Sequence, residues 1–282
     1  LFHGPTMAFK DFAARFMARC MEHLLSEEIT ILVATSGDTG SAVANGFFGL
    51  DGIQVVILYP SGRVSAIQEQ QLTTYGGNIT ALEVEGSFDD CQHMVKEAFL
   101  DKSVNQRRSL SSANSINIAR LLPQSVYYAW AWKQINTDQP IVFSVPSGNF
   151  GNLTGGIIAK HMGLPVEKFI AATNANDVFP KYLETGEFNG MPSKQTISNA
   201  MDVGRPSNFD RILKIYNENV NEVRRDLISW SFQDDETKYA IQYTNDKLNY
   251  LTDPHTAVGL SGIEKYRQEV NAHLTGIALA TA

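Results

Sequence analysis

The stretch Ser144-Val145-Pro146-Ser147-Gly148-Asn149-Phe150-Gly151-Asn152 constrains the fold more than any other in this chain. An apolar, β-branched run, Ile141-Val142-Phe143, precedes it, and a helical pattern from Leu153 to His161 follows. The order is strand, Gly-rich turn, helix. Backbone N–H groups at the start of such a helix have no intrahelical partner, and the helix dipole adds positive potential there. Together they form a cradle for a phosphate. The loop holds no lysine, so it is not a Walker A loop, and it lacks the GxGxxG spacing of a dinucleotide fingerprint. It points to a phosphorylated ligand held mainly by backbone. An ordinary strand-to-helix turn is the competing reading.

The rest of the chain repeats the same alternation. Ile29–Ala34 reads as a buried strand and Gly40–Leu50 as the helix after it. Val55–Tyr59 is the next strand, ending at Pro60, and Ser65–Tyr75 is a helix stopped by Gly76-Gly77. Asn78–Val84 is a strand, and Ser87–Leu100 a helix with Ser87 as N-cap and Asp89-Asp90 in its first turn. Ile116–Ile135 is a long helical pattern broken near Pro123. Phe169–Thr173 and Thr275–Thr281 read as later strands, Gly186–Asn208 as a polar loop or flap, and Arg211–Asn249 as helices. Strand–helix alternation predicts parallel α/β layers, in which ligands sit beyond the carboxyl ends of strands. Two notable loops fall there, Thr35–Gly40 and Ser147–Asn152.

Composition excludes several classes. The 282 residues suffice for two modest lobes, and 43% hydrophobic with 19% charged content describes a soluble globular protein. No run approaches the ~18 apolar residues of a membrane span. With a net charge of −7 and no basic tract, nucleic acid is not an expected partner. Cys20 and Cys91 have no metal-ligand spacing and fit free thiols in a cytoplasmic setting, and no metal is expected. The start at Leu1 and the stop at Ala282 read as cut ends, with no signal peptide visible.

His3–Ala13 carries the second motif. Gly4-Pro5 is a turn signal, and Thr6 is placed to cap the following helix. Lys10 then falls in its first turns beside Phe9 and Phe12. An apolar setting penalises the ammonium and frees the amine for Schiff-base chemistry. A solvated surface lysine is the competing reading. His3 and His255 read as structural, and Trp130 and Trp132 as core or interface residues.

Taken together, Thr-x-Ala-Phe-Lys-Asp-Phe, Thr-Ser-Gly-Asp-Thr-Gly and Gly-Asn-Phe-Gly-Asn resemble the fold-type II pyridoxal-phosphate enzymes, the tryptophan-synthase-β-like group. Within that group the chain is similar to the threonine synthase family. Leu-Phe-His-Gly-Pro-Thr-Met-Ala-Phe-Lys-Asp-Phe, Ser-Ala-Asn-Ser-Ile-Asn-Ile-Ala-Arg, Phe-Ile-Ala-Ala-Thr-Asn-Ala-Asn-Asp and Ser-Asn-Ala-Met-Asp-Val occur in the family's order. The likeness covers most of residues 1–205 and returns at Asp253–Val258.

The resemblance implies an α/β, two-lobed fold with parallel sheets flanked by helices. Residues 1–30 and 136–282 would form a large cofactor-binding domain, and 31–135 a small inserted one, with pyridoxal 5′-phosphate in the cleft between them. Lys10 would be the Schiff-base lysine and proton carrier. Gly148, Asn149, Phe150, Gly151 and Asn152 would hold the cofactor phosphate, and Thr281 would meet the pyridine nitrogen, unless it is simply a strand-end threonine. Ser36, Gly37 and Thr39 would meet the substrate carboxylate, with Asp38 on the side of the cofactor's 3′-oxygen. Related enzymes often have Asn at that position, which leaves the contact of Asp38 open. Asn114, Ser115 and Arg120 lie where the family binds the substrate's own phosphate, a task suited to a guanidinium fork.

The implied reaction turns O-phospho-L-homoserine and water into L-threonine and phosphate, by γ-elimination and then β-addition of water. Two alternatives stay open: a phospho-lyase that releases a 2-keto acid, and a non-catalytic cofactor-binding domain, since family members carry further segments at both ends. The small-molecule substrate is the expected partner, and the oligomeric state is open between monomer and homodimer.

Overall fold

The computed structural model describes residues 1–115 and 117–282. Its internal contacts divide the chain into two compact units, Leu1–Pro123 and Gln124–Ala282.

The first unit contains, in order, α1 (Lys10–Leu24), β1 (Ile29–Ala34), α2 (Asp38–Phe47), β2 (Ile53–Pro60), α3 (Ala66–Thr73), β3 (Ile79–Val84), α4 (Phe88–Leu100), α5 (Lys102–Asn105), β4 (Ser109–Ser112) and α6 (Ile118–Leu121). The strands form one parallel sheet in the order β3-β2-β1-β4. Successive side chains of a strand point to opposite faces, and the packing follows that rule. Ile31 and Val33 meet Ala14, Met17, Val43 and Phe47 from α1 and α2. Leu32 and Ala34 meet Cys91 and Val95 from α4. With both faces covered, β1 is buried along most of its length, as parallel strands are.

Helix α1 therefore belongs to this unit. The sequence reading joined residues 1–30 to 136–282. The structure instead buries Ala14, Met17 and Ala18 in the core of the first sheet, and residues 1–30 belong to the first compact unit. The approach is close: a Cβ on Gly46 of α2 would lie 3.2 Å from the Ala14 backbone.

The second unit contains α7 (Ser125–Lys133), β5 (Ile141–Pro146), α8 (Gly151–His161), β6 (Lys168–Thr173), α9 (Val178–Thr185), α10 (Phe209–Ile215), α11 (Val220–Asp226), β7 (Leu227–Ser231), α12 (Asp234–Leu248), α13 (Pro254–Glu269) and β8 (Thr275–Ala278). Its sheet is also parallel, in the order β7-β6-β5-β8. Phe143, Val145, Phe169 and Ala171 pack with residues of α7 to α10 on one face. Val142, Ile170 and Ala172 pack with Val258, Ile263 and Tyr266 of α13 on the other.

Several expectations need correction. The pattern read as one helix over 116–135 is α6, a 3-10 turn at Leu122–Gln124 and α7, and Ile116 lies outside the described residues. Pro123 sits in that turn, where its missing N–H and fixed φ interrupt the helical ladder. The span 211–249, read as helical throughout, contains the strand β7. Trp130 and Trp132 lie on the open side of α7, 63% and 39% exposed, not in the core.

Candidate active site

In the first unit the site begins where β1 ends. Thr35 Oγ1 accepts the N–H groups of Gly37 (3.0 Å) and Gly40 (2.8 Å) and donates to the Gly37 carbonyl, which folds Thr35–Gly40 into a tight loop. Gly37 has φ +134°, a conformation that a side chain would strain. Asn114 clamps the residue before the loop from both sides. Its Oδ1 accepts Ala34 N–H at 3.2 Å, and its Nδ2 donates to the Ala34 carbonyl at 2.7 Å. The carboxamide that sequence reading offered to a substrate phosphate seats this loop, and its second N–H is not used in doing so. Ser36 is exposed, Asp38 and Thr39 are half-buried at the start of α2, and Ser115 is half-buried two residues after Ala113.

Lys10 opens α1, but Thr6 does not cap that helix. The N-cap position is Phe9, with no side-chain cap. Thr6 instead donates from its backbone N–H (2.9 Å) and its hydroxyl (2.7 Å) to the buried carboxylate of Asp11. The turn from Gly4 to Met7 closes on that carboxylate: Met7 has φ 57°, and a Cβ on Gly4 would meet Asp11 at 2.3 Å. Lys10 Nζ then stands 3.4 Å from Asp38 Oδ2, both side chains about four-fifths buried. Phe9 lies under the ammonium at 5.9 Å. The setting is an ion pair beside an aromatic ring, not the purely apolar site expected. Gln68 of α3 donates to the other oxygen of Asp38 at 2.6 Å. Sequence reading missed Gln68, because a glutamine inside an amphipathic helix carries no signal until its neighbour is known.

Arg120 is 2% exposed, and its Nη1 donates to the Ala113 carbonyl at 2.5 Å. Burial pulls the guanidinium down to about 10, against the opposing charge of Asp11. It remains a cation at neutral pH and brings positive charge to the segment that carries Asn114 and Ser115.

The second unit has a candidate element of its own, the loop after β5. Phe150 adopts the left-handed conformation (φ 56°) and precedes α8 with no side-chain cap. The polar side chains of the loop turn away to brace it. Ser147 Oγ donates to Asn152 Oδ1 at 2.5 Å, and Asn152 Nδ2 donates to the Pro146 carbonyl at 2.9 Å. Asn149 Oδ1 accepts from Ser207 N–H, and its carbonyl accepts from Asn208 Nδ2. What the loop presents at the head of α8 is backbone. Thr281 is buried just beyond β8, which pairs with β5, so it lies at the same carboxyl edge of the sheet.

Two motifs without an assigned role prove to be partners. Asn174 and Asn176, after β6, hydrogen-bond to Asp202 Oδ1 at 2.8 and 3.3 Å. Thr196 donates to both oxygens of Asp202, and burial raises that carboxyl. The turn they hold packs against the loop, where a Cβ on Gly148 would lie 2.6 Å from Met201 Cα. His255 accepts Ala200 N–H at Nε2 (3.3 Å) and faces Asp253 with Nδ1 (3.0 Å), a pattern that puts its proton on Nδ1. The polar segment read as a flap is therefore tied down at its carboxyl half, and His255 is structural, as expected.

The model of the family described as "Pyridoxal-phosphate dependent enzyme" matches residues 1–279. The chain belongs to this family. Its cofactor is pyridoxal 5′-phosphate, and its fold is of type II. This pyridoxal-phosphate dependent enzyme is 45% identical over its whole length to threonine synthase of Escherichia coli, of which it covers 65%, and 47% identical to that of Haemophilus influenzae, of which it covers 66%. It thus spans just under two thirds of these relatives. The solved threonine synthase of E. coli superposes with a TM-score of 0.91 at 44% identity, covering all of this chain and 65% of that one. The cofactor-bound threonine synthase of Brucella melitensis gives 0.90 at 38%, covering all of this chain and 66% of that one. The residues present fit the cofactor. An uncapped helix start suits its phosphate, and an amine four-fifths buried, with an anionic partner, suits its aldehyde.

Among the described residues, no group of acidic, His and Cys side chains could hold a metal, and no helix is long and apolar enough to cross a membrane.

Proposed function

We propose that the protein to which this chain belongs converts O-phospho-L-homoserine and water into L-threonine and phosphate. The observation that supports the proposal is that each unit has a feature suited to an anion: the uncapped start of α8 after the loop Ser147–Asn152, and the buried guanidinium of Arg120. A reaction in which cofactor and substrate each bring a phosphate needs both. The likeness to threonine synthases over the whole chain supports the same reading.

When bound, pyridoxal phosphate supplies the electron sink that makes carbon-bound protons acidic. Lys10 would hold it, and the Lys10 amine would take and return the proton at substrate Cα. Asp38 keeps that amine in place. Gly148, Asn149, Phe150, Gly151 and Asn152 receive the cofactor phosphate on their N–H groups, and Thr281 offers a neutral hydroxyl to the pyridine nitrogen. Ser36, Gly37 and Thr39 receive the substrate carboxylate. Arg120 and Ser115 attract the phosphate that leaves, and Asn114 acts through the backbone it seats. A cytoplasmic location belongs to the same proposal and is supported by the free thiols Cys20 and Cys91.

Product analysis tests it. The cofactor-loaded protein, supplied with O-phospho-L-homoserine, is expected to release threonine and phosphate in equal amounts. Release of 2-oxobutyrate with ammonia would replace this reading with the phospho-lyase, and no turnover with intact cofactor binding would reduce it to a binding domain.

A further inference from the structure

We propose that Gln68 is a positioning residue for Lys10, acting through Asp38; the proposal rests on the reading of Lys10 as the lysine that attaches the cofactor. The carboxamide of Gln68 is committed at both ends. Its Oε1 accepts the backbone N–H of Ser65, the N-cap of α3, at 3.1 Å. Ser65 Oγ accepts Gln68 N–H in return at 3.2 Å, which completes a capping box. A carboxamide accepts only at oxygen and donates only at nitrogen, so the cap leaves Nε2 as the end that faces Asp38.

Nε2 donates to Asp38 Oδ1 at 2.6 Å, while Oδ2 faces Lys10 Nζ at 3.4 Å. Asp38 is the first residue of α2, where a carboxylate gains from the helix dipole. One chain of hydrogen bonds thus runs from the backbone of Ser65 through an oriented amide and a fixed carboxylate to the amine. It joins the starts of α1 and α2 to α3. Gly37 makes the contact possible: a Cβ there would lie 2.4 to 2.6 Å from the Gln68 amide. Without Gln68, Asp38 Oδ1 loses the donor that the carboxamide supplies, and with it one constraint on the carboxylate that faces Lys10.

The rival role for Gln68 is that it only caps α3, and a readout on Lys10 separates the two. In the cofactor-free protein, trace acetic anhydride at fixed pH is followed by peptide mass analysis, with exposed Lys102 as internal reference. Gln68→Ala is expected to raise Lys10 acetylation several-fold relative to Lys102, because the amine is less firmly held as an ion pair. Asp38→Asn is expected to raise it likewise, and Gln68→Ala in that background to add nothing. Ser65→Ala, which removes the hydroxyl but keeps the N–H that orients Gln68, is expected to leave Lys10 as in the parent. Unchanged Lys10 acetylation in Gln68→Ala, an equal effect with and without Asp38, or an effect of Ser65→Ala as large as that of Gln68→Ala would each overturn the proposal. Borohydride trapping of the loaded protein is the separate arm. Label away from Lys10 with the coupling intact removes the functional reading, whereas label on Lys10 without the coupling removes only the role of Gln68.

Discussion

On the proposed reading, the two units would meet anions in different ways. Around Lys10 and Arg120 the groups that matter are ions, each held by a neighbour: Lys10 by Asp38, Asp38 by Gln68, and Arg120 by the Ala113 carbonyl. Between Ser147 and Asn152 no side chain is charged, and the polar ones are turned inward as braces. A phosphate that only has to be anchored is served by fixed N–H dipoles, which need no titrating group. A centre that moves protons and releases an anion needs groups that carry charge. On this account the second unit is sensitive to shape and the first to charge.

The largest expected effect tests the charged side. Lys10→Ala removes both the attachment point and the proton carrier, and turnover of O-phospho-L-homoserine should fall by at least ~10²-fold. Retained turnover would break the comparison at its centre. Next is Arg120. Arg120→Ala should weaken substrate handling by roughly ten- to a hundredfold, the worth of a charge-assisted hydrogen bond. Arg120→Lys should recover it only in part, because the ammonium lacks the fork. Steady-state kinetics beside cofactor titration checks both, and a loss confined to cofactor affinity would move Arg120 to the other side of the comparison.

On the shape side, Gly148→Ala forces a Cβ against the Met201 backbone, with Met201 Cα at 2.6 Å. The expected cost is about 1–3 kcal/mol of overpacking. It should appear as a smaller preference for pyridoxal phosphate over pyridoxal in binding titrations, with Lys10 acetylation unchanged. An equal loss for both ligands would show that the loop does not read the phosphate.

The smallest effect concerns pH. Burial alone would raise the Asp253 carboxyl, but hydrogen bonds from His255 and Thr256 outweigh it and hold it below the usual carboxylate range. A depressed carboxyl adds stability that is present above its unfolded value near ~3.9 and is lost as pH falls through the folded value. Asp253→Asn should therefore lower stability at pH 7 and flatten the acid limb of urea unfolding below about pH 4, where variant and parent converge. An unaltered acid limb would remove Asp253 and His255 as the anchor of the Ala200 turn.

The fold was legible where burial on both faces demands continuous apolar runs. Ile29–Ala34 reads as a strand and is one, and Ser87 caps its helix with the box that Asp90 completes. It was illegible where a strand exists only because a sheet offers an edge. Ser109–Ser112 is polar and pairs with β1. Leu227–Ser231 lies between charged helices and pairs with β6. Helix α13 did carry a signal that was passed over, an Asp253 N-cap followed by Pro254. The site divides in the same way. Lys10 and the glycine loop stand out by motif, whereas Gln68 and the amides of Asn174 and Asn176 act through partners distant in sequence. Thr6 shows the limit of local rules: it has the chemistry of a cap, but α1 starts three residues later at the N-cap position Phe9, and Thr6 donates to Asp11 instead.

The central claim of the proposal is that Lys10 attaches the cofactor and the loop Ser147–Asn152 holds its phosphate. Borohydride reduction of the pyridoxal-phosphate-loaded protein, followed by peptide mass mapping, tests the attachment directly. The account predicts the added mass on the peptide that contains Lys10. Mass on Lys160 or Lys168 of the second unit, with none on Lys10, would contradict it.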